Sequence, residues 1–174
     1  MGWLLRADAQ ISKEPTVLNS QILADTHSQE IPGSRTVVAV VLECRGRIAL
    51  FRRSSDLTHD GSLWHCITGF VEHGSSPSCQ ALEEIYEEAG LGARDLVALR
   101  HGPVLVIDDE IGSPWLIYTF TAVTERRQLK INWEHDSYRW TMPQKYTRFV
   151  NRVPWLDQVL AATGLVGGRG DSEG

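Results

Sequence analysis

The chain has 174 residues, of which 42% are hydrophobic and 22% charged, with a formal net charge of -5. That size and balance fit one soluble domain with a sizeable core. An acidic balance with no basic block gives no case for a nucleic-acid surface, no apolar run is long enough to span a membrane, and the first residues lack the basic-then-apolar order of a signal peptide.

Cysteine usage adds a compartment. Cys44, Cys66 and Cys79 are odd in number and lack metal-type spacing, which argues against a disulfide framework or a zinc site and favours a reducing cytoplasm. In chain order, residues 1–34 have weak periodicity and are read as an N-terminal extension. Within it, Trp3-Leu4-Leu5 is a candidate edge strand, and Ile31-Pro32-Gly33-Ser34 is a turn into the domain proper, residues 35–164. Thr36 to Cys44 is rich in β-branched residues and predicts a buried strand; Arg45-Gly46 is the turn, and Arg47 to Arg53 the returning strand. Arg52 and Arg53 at its end are candidates to reach a substrate phosphate, weighed against a solvated strand end. Ser54 to Ser62 is a polar loop. Trp64 reads as a core anchor and His65 as a structural or exposed histidine.

The most informative stretch is Gly69 to Leu91, GFVEHGSSPSCQALEEIYEEAGL. Ser76 fits an N-cap, Pro77 the first helical position and Gly90 the C-terminal cap of an amphipathic helix. Leu82, Ile85 and Ala89 form its core-facing stripe. Glu84, Glu87 and Glu88, at i, i+3 and i+4, share one exposed face with Glu83 at its edge. Like charges at this spacing repel by roughly a few tenths of a kcal/mol per pair, and the helix holds no Lys or Arg to offset them. A hard divalent cation would relieve the repulsion; a solvated acidic face is the alternative. Further on, Leu96 to Ile107 reads as a strand broken at His101-Gly102-Pro103. Asp108-Asp109-Glu110 through Pro114 is an acidic loop, and Trp115 to Val123 another strand. Tyr138 to Thr141 is a short strand with Trp140 in the core. Pro154 to Ala162 is a closing helix ended by Gly164, and residues 165–174 form a flexible tail.

The order of the central stretch resembles the Nudix box, G-x5-E-x7-R-E-U-x-E-E-x-G-U, where U is a bulky aliphatic. Gly69, Glu84-Ile85, Glu87-Glu88 and Gly90-Leu91 match; Ser75 stands where the family has its first Glu, and Glu83 where it has Arg. The run Glu134, His135, Tyr138, Arg139, Trp140 is similar to an E-H-x-x-Y-R-W run in several members. The resemblance covers roughly Thr36 to Ala162. It implies an α/β fold, an α/β/α sandwich with a mixed β-sheet.

The same resemblance implies hydrolysis of a pyrophosphate bond in a nucleoside diphosphate linked to another group, with Mg²⁺ (or Mn²⁺) as cofactor and a nucleotide-like small molecule as partner. Glu87 and Glu88 carry over as metal ligands, Glu84 as ligand or orienter of the base, and Thr68 as the residue offering a backbone carbonyl to metal. Glu134, ahead of an anchored strand, is the candidate carboxylate from the opposite wall; Asp108-Asp109-Glu110 is the other candidate. In the family the Arg pairs with the first Glu and holds the catalytic loop to the helix; here both are absent. That departure keeps a second function class open, a domain that binds a nucleotide-like ligand without efficient turnover. Base, leaving group and oligomeric state, a homodimer included, stay open.

Overall fold

The structure is a computed structural model that describes residues 34–108 and 114–166. Its centre is β1, Arg35–Cys44. Alternate residues of a strand face opposite sides, and both sides of β1 are apolar. Val38, Val40 and Leu42 face one layer of core, and Val37, Ala39 and Val41 the other. A strand buried on both faces reads as a continuous apolar run, as the sequence does here.

Arg45 and Gly46 both take positive φ, 51° and 72°, the requirement of a two-residue hairpin turn. They lead into β2, Arg47–Arg53. The hairpin pairs only briefly, at Glu43 with Ile48 and Cys44 with Arg47. Over Val37 to Val40, β1 takes a different antiparallel partner, β4, Ile67–Phe70. β2 therefore diverges to pair with β3, Trp64–His65, and with β7, His135–Thr141. On its other side β1 runs parallel to β6, Pro114–Thr124, which pairs antiparallel with β5, Leu96–Asp108. The result is a seven-stranded mixed sheet.

One helix closes each face. α1, Pro77–Ala89, places Ala81, Ile85 and Ala89 against the first core layer, and α2, Leu156–Ala162, places Leu156, Val159 and Leu160 against the second. This is the α/β/α arrangement expected. The helix ends are built as read: the Ser76 hydroxyl accepts from the Cys79 N–H at 3.2 Å, Pro77 opens the helix, and Gly90 closes it at φ 68°.

Five local expectations change. β5 is not broken at His101-Gly102-Pro103. The pairing register shifts between His101 and Val104 and the strand continues, with the Thr119 hydroxyl donating to the Pro103 carbonyl at 2.7 Å. β7 begins at His135, ahead of Tyr138, and α2 begins at Leu156 rather than Pro154. Trp140 is half-buried, because its indole N–H must reach a partner and does so at the Arg127 carbonyl, 2.8 Å away. Glu88, expected on the exposed face, is 2% exposed. Its place on α1 falls beside Ala81 and Ile85 on the side turned to the sheet. The three cysteines are free, Cys44 and Cys66 buried and Cys79 exposed. No helix among the described residues is long and apolar enough to cross a membrane. The extension 1–33 with Trp3-Leu4-Leu5, the acidic-loop residues 109–113 and the tail from Gly167 lie outside the described residues.

Gly46 and Gly90 share a left-handed conformation but differ in surroundings. A Cβ at Gly46 would meet nothing within 4 Å, whereas at Gly90 it would stand 2.8 Å from the Lys130 Cβ. Gly46→Ala should cost about 1–2 kcal/mol from backbone strain alone, and Gly90→Ala should cost more, as read by denaturant unfolding. Equal losses would mean that Lys130 yields freely.

Candidate active site

The divergence of β2 from β1 opens a cleft of about 1180 Å³ between the carboxylate face of α1 and the strand ends. Its first feature is the contact between α1 and β4. Gly69 lies directly under Glu84, so that a Cβ at Gly69 would overlap the Glu84 carboxylate. A side chain at this position would displace the Glu84 carboxylate from where it lies. The same contact brings Glu88 over Thr68, whose backbone N–H donates to Glu88 Oε1 at 3.3 Å.

Glu84 is half-buried and receives one hydrogen bond, from the Gln80 side-chain amide at 3.0 Å. Its pKa is raised to about 7, chiefly by burial, with the Gln80 hydrogen bond opposing and neighbouring Glu87, Glu134 and Glu83 adding to the shift. Glu88 is raised well above the ordinary range, first by burial and then by Glu84 and Glu134, against the Thr68 N–H and Arg53. Its second oxygen, Oε2, is buried without a hydrogen bond; His135 Nε2 lies 3.4 Å away, outside hydrogen-bond geometry.

Behind these carboxylates is a buried basic group. Arg53 Nε, His65 Nε2 and His135 Nδ1 are all buried without partners among the described residues. Burial, and after it the charge of Arg53, together lower the His65 pKa to about 3 and that of His135 to about 4, so both imidazoles are neutral at ordinary pH. His65 packs edge-on against Trp155, with ring centres 4.4 Å apart. Across the cleft, Glu134 stands one residue before β7. Its carbonyl accepts from the Ser54 N–H at 2.7 Å and its own N–H donates to Asn132 Oδ1 at 3.1 Å, which fixes the loop to the end of β2. The cleft's apolar end holds Phe70 and Trp115, ring centres 5.7 Å apart, with the Arg35 guanidinium over Trp115 at 5.2 Å.

The structure thus brings Thr68, Glu84, Glu87, Glu134 and Arg53 to one cleft, with Glu88 buried behind Thr68. Arg52 is exposed and does not line it, because alternate residues of β2 face opposite ways and Arg53 takes the inward position. Among the described residues no three His, Cys, Asp or Glu side chains converge at metal-binding separation. Gln80 and His135 were missed as members of the site. For Gln80 a signal existed, since position i to i+4 on a helix places an amide beside Glu84. His135 had no such signal, because its approach to Glu88 depends on how β7 joins β2.

His65 and His135, lowered when folded, give the opposite trend up to and through their ordinary 6.5, so the Glu84 contribution is read as the difference between the parent and a Glu84 variant. Glu84 and Glu88 both hold protons more tightly when folded than their ordinary 4.5. Their contribution is therefore most favourable at low pH and is lost as pH rises through the folded values, about 7 for Glu84. In excess chelator, the thermal stability of the parent relative to that of Glu84→Gln should fall between about pH 4.5 and 7. An unchanged slope in the variant would show that Glu84 is not perturbed.

Comparison with known proteins places this geometry in a family. A NUDIX domain model matches residues 33–162. An octanoyltransferase of Myxococcus xanthus is 30% identical over 115 residues, 63% of this chain and 31% of that protein. An RNA pyrophosphohydrolase of Gluconacetobacter diazotrophicus is 24% identical over 119 residues, 66% of this chain and 64% of its own. The chain thus spans less than two thirds of the length of either relative. Among solved structures, the dihydroneopterin triphosphate pyrophosphohydrolase of E. coli aligns with TM-score 0.60 at 18% identity, covering 73% of this chain and 94% of that one. A Nudix hydrolase of M. smegmatis aligns with TM-score 0.63 at 20% identity, covering 77% and 86%. These likenesses show the fold, and the match over residues 33–162 shows the family: the chain belongs to the NUDIX domain family.

Proposed function

We propose that this domain is a Mg²⁺-dependent pyrophosphohydrolase acting on a nucleoside diphosphate linked to a small group. The observation that carries this reading is the meeting of Glu84 and Glu87 on α1 with Glu134 from the loop before β7 in one cleft, backed by the buried Glu88. Two of the similar proteins are named pyrophosphohydrolases, which supports the reaction class.

The donor set fits a hard cation that keeps most of its water. Mg²⁺ takes only one or two carboxylates at many sites and fills the rest of its octahedron with water and phosphate oxygens. The unbonded, buried Glu88 Oε2 and the raised Glu84 are carboxylates that a cation would relieve. In this reading Glu87 and Glu88 hold the ion, Glu84 holds it or orients the base, and the Thr68 carbonyl joins them. When bound, the ion supplies positive charge that offsets the charge of the pyrophosphate and polarises its oxygens. Glu134 faces the carboxylates across the cleft and takes the proton of the attacking water. Arg53, whose Nε is buried without a partner, offers a donor that a phosphate oxygen would satisfy. Mn²⁺ shares the ligand preference and is expected to substitute.

A panel of nucleoside triphosphates, nucleoside diphosphate-linked compounds and an RNA, assayed for phosphate-bond cleavage with and without Mg²⁺, tests the reading and separates small substrates from RNA. Cleavage should require the metal and stop in excess chelator. Glu88→Gln should keep the fold, since a neutral side chain of the same shape replaces a carboxyl whose burial already favours its neutral form, and should lower kcat/KM by about 10²-fold or more. Binding of a panel compound with no cleavage under any metal would leave a ligand-holding domain in place of an enzyme. Separately, Glu134→Gln should reduce kcat while KM changes little, as for a group acting only on the attacking water; an unaltered kcat removes Glu134 from the chemistry.

A further inference from the structure

The loop between β4 and α1 has lost the ion pair that resembling sequences use, yet it is not loose. Ser75 donates its hydroxyl only to the neighbouring Ser76 carbonyl, at 3.3 Å, and Glu83 is exposed on the helix. Between them stands Gln80, in the first turns of α1 and 5% exposed. Its Oε1 accepts from the backbone N–H of Glu72 in the loop at 3.1 Å, and its Nε2 donates to Glu84 Oε1 at 3.0 Å. The orientation of the amide is not in question. A backbone N–H can only donate, so Oε1 must face Glu72, and the amino end is left for the carboxylate.

We infer that Gln80 is a positioning residue that replaces the missing ion pair: it ties the β4–α1 loop to the helix and aims the Glu84 carboxylate at the cleft. Several observations meet in it. The loop amide, the helix and the carboxylate are joined by one buried, uncharged group. Glu84 Oε1 is committed to Gln80 directly above Gly69, which leaves Oε2 as the oxygen available to the cleft. An Arg in this role would itself be buried and need a buried carboxylate partner, with the desolvation cost of both. An amide makes the same two connections without charge. A neutral clamp also explains how Ser75 and Glu83 are tolerated together, since neither has to meet the other. This inference rests on the reading of Glu84 as part of a hydrolytic site.

The test uses the full chain and two readouts, steady-state kinetics with Mg²⁺ and hydrogen exchange at the Glu72 amide in metal-free protein. Gln80→Met keeps the shape and removes both bonds. It should speed exchange at Glu72 about tenfold and lower kcat about tenfold with KM nearly constant, the scale of one hydrogen bond for each. Gln80→Glu keeps the acceptor for Glu72 and loses the donor to Glu84. It should therefore keep slow exchange while kcat falls, a split that a merely structural residue would not produce. Adding Ser75→Glu with Glu83→Arg to Gln80→Met should restore kcat to within about threefold of the parent, because the pair then does the tying. Unchanged exchange and unchanged kcat in Gln80→Met would overturn the inference, and failure of the restored pair to rescue would overturn the replacement. A parent protein with no metal-dependent cleavage would overturn the hydrolase reading and the aiming of Glu84 with it, while exchange at Glu72 would still decide the clamp. Should Gln80→Met not fold, the Gln80→Glu split decides.

Discussion

The structure depends on how closely α1 can approach β4. At Gly69 the strand has no side chain, and the Glu84 carboxylate occupies that space. The approach commits Glu88 to a buried position over Thr68 and leaves Glu84 half-buried. Burying carboxylates is unfavourable unless they are paired or neutralised. The backbone N–H of Thr68, the Gln80 amide and the nearby charge of Arg53 each compensate part of that cost. What they leave uncompensated is visible in the raised pKa of both acids.

That residual is the physical link between fold and chemistry. The hydrophobic faces of β1 and α1 hold the carboxylates in place whether or not a cation is present, since Ala81, Ile85 and Ala89 pack into a core layer shared with Val38 and Val40. The site is thus destabilised locally and supported globally, as preorganised sites commonly are. The basic side of the cleft is arranged so as not to cancel it. His65 and His135 are buried and held neutral, partly by Arg53, so among the described residues the positive charge felt by Glu88 is a guanidinium rather than a set of imidazolium ions.

The same divergence of strands that makes the cleft also sets its two ends. β2 leaves β1 after a short hairpin, and β7 follows β2, so Glu134 reaches the carboxylates from the far side with its backbone anchored at Ser54. β4 stays with β1, so Phe70 and Trp115 line the apolar end beside Arg35. A charged end and an aromatic end in one cleft suit a ligand that is anionic at one end and planar at the other.

Much of this was legible in the residues. The β-branched run of β1, the Arg45-Gly46 turn, the Ser76-Pro77 start and the Gly90 end of α1 are local signals, and each forms where the sequence places it. The spacing of Glu84, Glu87 and Glu88 fixed their shared helix face, because helical periodicity is a property of the chain alone. Burial is not such a property. Glu88 is buried because β4 happens to lie against that side of α1, and nothing in the helix distinguishes it from Glu87. Which of Arg52 and Arg53 faces the cleft, and the meeting of Glu134 and His135 with α1, were likewise decided by strand pairings far apart in sequence, between β2 and β7 and between β1 and β4. The sequence by itself determined β1 with its turn, the ends of α1 and the spacing of the carboxylates along it. Only the tertiary structure decided which charges lose their water, because desolvation depends on what packs over a residue and not on what precedes or follows it.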